Sequence, residues 1–292
     1  MTKLHILGSG TPTPTPDRFG SAYLVDTGSD KVLFDCGPAT TQKLVRAGVS
    51  ATDVSAVFLT HHHYDHVVDL PCFLLVRWDH QSPETPVLQV HGPEPTAELV
   101  DELIGPQGVF RRDIMARSEH PSSRRIFQMR GGALPRPWPR WETRNLVPGD
   151  QVEGDGWVVR TTRAAHVQPY HESLAYRIDT PSGSVVVTGD TARCPEVTEL
   201  AHGADVMLCC CWDHSDGAEQ INECVPEGMT GGMCGPEDAA RMAAEAGVGR
   251  LVLVHATPSI ARNVAAARAV EVARGLFGGE VTFAHEGLEL EV

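Results

Sequence analysis

The segment Thr60-His61-His62-His63-Tyr64-Asp65-His66 places five side chains that can bind a metal ion within six consecutive positions. The branched, apolar residues 54–59 before it predict a short buried strand, and the apolar residues of 67–76 after it have helical spacing. On the loop between them, alternate positions can point two imidazoles at one ion. Asp65 and His66 would point elsewhere, which indicates a second ion. An aspartate within such a cluster, just after a buried strand, is not typical of a surface tract or an affinity tag.

The composition is that of a globular protein, with 292 residues of which 41% are hydrophobic and 21% are charged. No apolar run approaches about 18 residues, so no membrane span is predicted. The N-terminus begins like a strand and lacks the apolar core of a signal peptide, so a cytoplasmic location is expected. The eight cysteines agree with this expectation, because three are consecutive and none forms a C-x-x-C motif.

The formal net charge of −14 makes the chain strongly acidic. An acidic surface repels a long polyanion, so no nucleic-acid partner is predicted. A small anionic substrate is still compatible with this charge, because two zinc ions would reverse the local sign.

Alternating and apolar segments predict a series of strands and helices with no boundary between domains. Strands are predicted near 3–7, 20–26, 31–36, 54–59, 87–90, 157–162, 173–179, 184–188, 204–211, 250–254, 280–284 and 288–292, and helices near 38–47, 67–76, 95–104, 195–201, 236–246 and 263–274. Residues 105–150 show little periodicity and predict an irregular lid or insertion. The arginines of this segment either meet an anionic substrate or solvate the surface.

The spacing His61-x-His63-x-Asp65-His66 resembles the signature of the metallo-β-lactamase superfamily. The opening Gly8-Ser9-Gly10-Thr11-Pro12, followed by Arg18, looks like the branch that holds ribonuclease Z, arylsulfatase-type enzymes and small phosphodiesterases. The resemblance implies an α/β fold, the αββα sandwich of that superfamily, as one domain over residues 1–292.

The resemblance also implies a set of metal ligands for two zinc ions per chain. One ion would be held by His61, His63 and His166, and the other by Asp65, His66 and His255, with Asp190 bridging them. Asp35 resembles a buried carboxylate that supports the ligands, although an ordinary aspartate at a strand end fits equally well.

The chemistry that such a site implies is hydrolysis by a metal-bridging hydroxide, because two ions lower the pKa of a shared water and polarise the electrophile. Asp65 and Asp190 would then be catalytic, and His171 is close enough in sequence to His166 to line the pocket. An intact Asp190 argues against a protein that only binds metal.

The family pattern breaks at two motifs. Ribonuclease Z and its relatives carry His-Glu-Ala-Thr and His-x-Thr motifs, whose Glu–His pair is credited with protonating the leaving group. Here the first position reads Cys209-Cys210-Cys211-Trp212 and the second Met233-Cys234-Gly235. No long tRNA-binding arm interrupts 166–190 either, which argues against tRNA maturation. The three consecutive cysteines are interpreted as strand packing, with a reactive thiol as the alternative.

A missing general acid matters least when the leaving group is a weak base. The sequence therefore favours a small-molecule substrate and hydrolytic dehalogenation of an activated aromatic. The alternatives are ester, lactone or aryl sulfate ester hydrolysis, and then a ribonuclease Z-like phosphodiesterase. Trp212 and His214 are candidate substrate-binding residues, with core packing as the other interpretation of Trp212. A homo-oligomer, in the simplest case a homodimer, is expected.

Overall fold

Two seven-stranded sheets form the framework of the chain in a computed structural model, which describes residues 1–212 and 232–292. The strands are β1 (Lys3–Gly8), β2 (Ala22–Asp26), β3 (Lys31–Phe34), β4 (Ala56–Phe58), β5 (Leu88–Gly92), β6 (Trp141–Asn145), β7 (Gln151–Gly154), β8 (Trp157–Arg163), β9 (Leu174–Thr180), β10 (Gly183–Val187), β11 (Val206–Cys211), β12 (Arg250–Ala256), β13 (Glu280–Phe283) and β14 (Leu288–Glu291). The helices are α1 (Thr40–Arg46), α2 (Tyr64–Val67), α3 (Leu70–His80), α4 (Thr96–Ile104), α5 (Arg111–Glu119), α6 (Pro121–Met129), α7 (Pro195–Leu200), α8 (Pro236–Ala246) and α9 (Asn263–Phe277), with a 3-10 turn at Ala51–Asp53.

The two sheets have matching topologies. The first has the order β14-β1-β2-β3-β4-β5-β6 and the second the order β13-β12-β11-β10-β9-β8-β7. In each sheet, antiparallel strands on one side are joined by turns or loops, whereas the parallel strands on the other side are joined by crossovers that contain helices. The predicted α/β sandwich of two mixed sheets flanked by helices is confirmed.

The middle of the sandwich is an apolar layer between the two sheets. Phe58 of β4 packs edge-on against Tyr176 of β9, with ring centroids 5.4 Å apart. The Tyr176 hydroxyl donates a hydrogen bond of 2.6 Å to the carbonyl oxygen of Leu59. The second sheet therefore fixes the end of β4, immediately before the histidine-rich loop.

Two further apolar layers lie between each sheet and its helices. The layer on the first sheet involves α3 and includes Phe73, Leu74 and Trp78, all of which are buried. The layer on the second sheet is rich in alanine, methionine and cysteine and includes side chains from α7, α8 and α9. Small residues on α8 let this helix approach β11 and β12 closely.

Residues 105–150 are more regular than their sequence indicates, because they contain α5, α6 and β6. The helical signal is weak since α5 buries only Ile114 and α6 buries no residue fully. The segment is attached to α3 by Arg136, whose guanidinium lies 3.8 Å from the centroid of the Trp78 ring and pairs with Asp79 at 2.9 Å. Its role as a lid stays a prediction.

None of the helices in residues 1–212 and 232–292 combines the length and the apolar character needed to cross a bilayer.

Candidate metal centre

Four strands end at the same edge of the sandwich and bring seven side chains together. His61, His63, Asp65 and His66 follow β4, His166 follows β8, and Asp190 follows β10. His255 is the penultimate residue of β12. Parallel strands present their carboxyl ends at one edge, which is where open α/β sheets place their sites. Gly189 precedes Asp190 with φ 59°, and a Cβ at this position would lie 2.8 Å from the Cβ of Thr60. Glycine is therefore required for the β10 loop to approach the histidine loop.

The first group of donors consists of His61, His63, His166 and Asp190. Nδ1 of His63 lies 3.0 Å from Nε2 of His61 and 3.3 Å from Nε2 of His166. Oδ2 of Asp190 lies 3.9 Å from Nε2 of His61 and 3.8 Å from Nε2 of His166. Three ring nitrogens and one carboxylate oxygen thus face a common point.

The second group consists of Asp65, His66 and His255, with Asp190 beside them. Nε2 of His255 lies 3.2 Å from Oδ2 of Asp65 and 3.3 Å from Oδ1 of Asp190. Nε2 of His66 lies 3.6 Å from the same oxygen of Asp65 and 3.5 Å from the same oxygen of Asp190. Asp190 therefore faces one group with Oδ2 and the other with Oδ1.

These distances fit metal ions. Ligands at about 2.0–2.1 Å around a tetrahedral zinc ion lie about 3.3 Å from one another. Oδ1 of Asp65, Nε2 of His66 and Oδ1 of Asp190 are buried and have no hydrogen-bond partner in the described part of the chain. Buried polar atoms are rarely left unpaired, so these atoms indicate that a cation belongs between them.

The ring orientations are fixed by a second layer of hydrogen bonds. Nδ1 of His66 lies 2.7 Å from Oδ2 of Asp35, and the backbone N–H and hydroxyl of Thr60 both donate to the same carboxylate, at 2.7 and 3.0 Å. A carboxylate at Nδ1 holds the proton there and leaves Nε2 free for a metal. Asp35 has φ 59°, so the backbone is turned into the left-handed region to aim this carboxylate.

Burial and charge shift the pKa values of the metal-free groups. Burial lowers the pKa of His61 well below its usual value and lowers that of His63 to about 4. Burial alone would also lower the pKa of His66, but the Asp35 and Asp190 carboxylates outweigh it and raise the pKa well above the usual value. Burial opposes ionisation of Asp190, yet His255 and His66 hold its pKa well below the usual range. His61 and His63 of the first group are thus neutral imidazoles, the form that binds a metal.

Trp212 and His171 flank the two donor groups. The indole N–H of Trp212 points at Nδ1 of His255 at 3.3 Å. Nε2 of His255 faces the second donor group, so Trp212 contacts this ring through its other nitrogen. The ring of His171 lies 5.0 Å from that of His63. His214 lies outside the described residues.

The positions where relatives carry an acid pair are filled by apolar packing. Cys210 is fully buried in β11, and Met233 is buried in the same core layer. Two features could not be predicted from the sequence: the double hydrogen bond from Thr60 to Asp35, and the contact between Trp212 and His255. Both depend on which strand ends meet, and that is set by the tertiary fold.

The pattern of a β-lactamase superfamily domain matches residues 30–256 of the chain. The chain belongs to the metallo-β-lactamase superfamily. The ribonuclease Z of Mycobacterium marinum is 34% identical over 265 residues, which cover 89% of this chain and 88% of that protein. Membership of this superfamily, together with the cluster of histidines and aspartates, makes the chain a metal-dependent hydrolase.

Solved structures of other superfamily members have the same fold over almost their whole length. The metallo-β-lactamase fold protein YhfI from Bacillus subtilis superposes with a TM-score of 0.71 at 21% identity, covering 100% of this chain and 99% of that one. The short form of human tRNase Z superposes with a TM-score of 0.66 at 20% identity, covering 99% of both chains. At these identities the likeness supports the fold alone.

The prediction of a small-molecule substrate without a nucleic-acid partner is wrong for this branch of the superfamily. Relatives that match most of the chain are named ribonuclease Z, so they act on RNA. The prediction failed because it relied on the net charge of the whole chain. The net charge does not describe the electrostatic field at a centre that holds cations. Homo-oligomer formation stays a prediction.

Proposed function

We propose that the chain is a zinc-dependent phosphodiesterase that hydrolyses a phosphodiester bond of RNA. The observation that carries the proposal is the identity with ribonuclease Z over most of both chains, combined with two donor groups that share Asp190. The same observation disfavours dehalogenation, the first choice from the sequence. It supports the phosphodiesterase alternative instead.

In this proposal the seven side chains hold two ions. His61, His63 and His166 would hold one ion, Asp65, His66 and His255 would hold the other, and Asp190, which faces both groups, would be shared. Imidazole and carboxylate ligands in groups of four suit zinc. When bound, the ions would supply a water of lowered pKa and a positive charge that stabilises the phosphoryl oxygens. Asp35 and Thr60 keep His66 oriented.

His171 is the proposed proton donor to the leaving oxygen. Its ring lies beside His63, and its Nδ1 is buried without a hydrogen-bond partner among the residues described. A histidine ring at the rim of the metal centre is a group that can supply a proton to a substrate oxygen. This role would compensate for Cys210 and Met233 at the positions of the usual acid pair.

The proposal is tested by comparing substrate classes on zinc-loaded protein. The substrates are a short labelled RNA, bis-p-nitrophenyl phosphate, a p-nitrophenyl ester and a chlorinated aromatic nitrile monitored by chloride release. We expect turnover of the two phosphodiesters to exceed the other two by at least about 10²-fold. Faster chloride release or ester cleavage would reject the phosphodiesterase.

Two variants tie the activity to the metal centre. Asp190→Ala removes an oxygen from both donor groups, so activity should fall by about 10³-fold or more together with zinc content. His62→Ala is the matched control, because Nε2 of His62 lies 2.8 Å from the Thr96 hydroxyl and His62 belongs to neither donor group. Equal losses in both variants would contradict the ligand assignment.

A further inference from the structure

Three thiols form a second type of cluster beside the metal centre. The sulfur atoms of Cys209, Cys210 and Cys234 all lie within 4.8 Å of one another, and all three residues are fully buried. Cys209 and Cys210 lie in β11, and Cys234 lies two residues before α8. None of the three belongs to the two groups of histidines and aspartates.

The backbone around the cluster is fixed by hydrogen bonds. The Cys234 N–H donates to the carbonyl of Thr191 at 2.8 Å, and the Cys234 carbonyl accepts from the Trp212 N–H at 2.9 Å. The pairing of β11 with β12 shifts register at the end of β11, where Cys210 pairs with Val254 and Cys211 with Ala256, so the extra residue is His255 of β12. The thiols are therefore pre-positioned by the fold.

We propose that Cys209, Cys210 and Cys234 bind one soft metal ion, with Cu⁺ as the best match. Thiolates are the ligands that select Cu⁺ over harder ions. A structural zinc site takes four donors. Within residues 1–212 and 232–292, no fourth cysteine, histidine or carboxylate joins this group. Three sulfurs, with no fourth donor among the described residues, fit a three-coordinate monovalent ion better than zinc.

The cluster lies in an apolar layer that also contains Met207 and Met242. Binding of Cu⁺ would release the thiol protons, and the cation would offset part of the negative charge of the three buried thiolates. The eleven-residue helix α8 begins just after Cys234, and the positive end of a helix dipole stabilises the remaining negative charge.

The site is chemically distinct from the histidine and aspartate centre yet adjacent to it. The Cys210 thiol donates a hydrogen bond of 3.3 Å to the carbonyl oxygen of Thr191, the residue after Asp190, and metal binding would replace the thiol proton. Nitrogen and oxygen donors retain zinc, whereas sulfur donors select Cu⁺, so the two kinds of site can be filled side by side.

The test is a titration of reduced, zinc-loaded protein with Cu⁺ under anaerobic conditions, in competition with a chromophoric Cu⁺ chelator. The mixture is incubated until the signal is constant, because burial slows access. We expect one Cu⁺ per chain, retained zinc, and X-ray absorption at the copper edge that reports three sulfur neighbours. Nitrogen neighbours, failure to compete with the chelator, or a disulfide involving Cys234 in freshly purified protein would overturn the proposal.

Substitution of individual cysteines tests whether the three thiols are the Cu⁺ ligands. Cys209→Ser and Cys234→Ala should each weaken Cu⁺ binding by at least about 10²-fold, in line with the loss of one ligand of three. Cys36→Ser is the matched control, because Cys36 is equally buried but lies in the core layer of the first sheet. His255→Ala should lower zinc content and leave Cu⁺ binding unchanged. If it lowered copper as well, the copper would belong to the histidine and aspartate centre.

Discussion

Thr60 connects the backbone of the metal loop to the orientation of one ligand. Its N–H and hydroxyl both reach Asp35, whose other contact is Nδ1 of His66. Its hydroxyl also lies 3.0 Å from Nδ1 of His61. The Thr60 side chain thus contacts His61 of the first donor group and Asp35, which orients His66 of the second. Loss of such outer contacts typically lowers metal affinity by about 10–100-fold, even though no ligand is removed.

At the same scale, the proposed donor His171 makes a prediction about leaving groups. His171→Ala should slow cleavage of RNA by about 10²–10⁴-fold, because the alkoxide leaving group needs a proton. Cleavage of bis-p-nitrophenyl phosphate should change by less than about 10-fold, because nitrophenolate leaves without one. The measurement is kcat for both substrates, with zinc content determined alongside.

Thr96→Val is the control variant, because it removes the hydroxyl that contacts His62 and leaves the His171 side chain intact. It should leave the ratio of the two rates unchanged. Equal slowing of both substrates in His171→Ala, with zinc retained, would show that His171 is structural and that the proton comes from elsewhere.

At the scale of elements, two loops are packed tightly against the backbone of α2. A Cβ on Gly20 or on Gly37 would lie 2.2 Å from the carbonyl oxygen of Asp65. The Cys36 N–H donates to the His66 carbonyl at 2.7 Å in the same region. The loops after β1 and β3 therefore hold the ligands Asp65 and His66 from outside through close backbone contacts, in addition to the Asp35 carboxylate on His66.

Gly37→Ala should destabilise the protein by about 1–3 kcal/mol and weaken retention of the second ion, because the added methyl group displaces the backbone of Asp65. Gly275→Ala is the matched control within α9, where a Cβ meets no atom within 4 Å. It should stabilise by about 0.5–1 kcal/mol through helix propensity. Urea unfolding and zinc analysis measure both effects, and a Gly37→Ala protein with parental stability would contradict the packing argument.

The sequence predicted most elements because their apolar patterns are strong, as in β4, β11 and α8. It missed α5 and α6, which bury few residues and lie in a segment rich in arginine, proline and glycine, and it missed β6 and β7, which have exposed residues along one face. The spacing of the histidines and aspartates was sufficient to nominate the seven donors. The cluster of Cys209, Cys210 and Cys234 was not foreseen, because adjacent strand residues normally point to opposite faces.

At the scale of the whole molecule, buried imidazoles make the metal-free protein sensitive to acid. Burial lowers the pKa of His62, His63 and His91 to about 4. The unfolded chain titrates these groups near 6.5 and so binds more protons than the folded chain between pH 6.5 and 4. The free energy of unfolding therefore falls as the pH falls through this window and changes no further from these groups below pH 4.

His91 isolates one part of this effect, because it is remote from the metal ligands and packs on Phe58 with ring centroids 5.0 Å apart. In metal-free protein, the free energy of unfolding falls between pH 6.5 and pH 4. This fall should be about 3 kcal/mol smaller in His91→Leu than in the parent. The comparison is urea unfolding at both pH values. His80→Leu, at an exposed position, should leave the difference between the two pH values as in the parent. A slope unchanged by His91→Leu would show that His91 stays neutral or is already accessible to solvent.

The pairing of β14 with β1 has a consequence for synthesis on the ribosome. Lys3 meets Glu289, which is 286 positions away in the chain, so the outer edge of β1 has no neighbour until the last strand emerges. At about 5–20 residues per second, this edge waits for about 15–60 s while the rest of the chain is made. An unpaired strand edge is a template for pairing with another chain. A nascent polypeptide with this topology therefore has a long interval in which chaperone protection of residues 3–8 determines its yield.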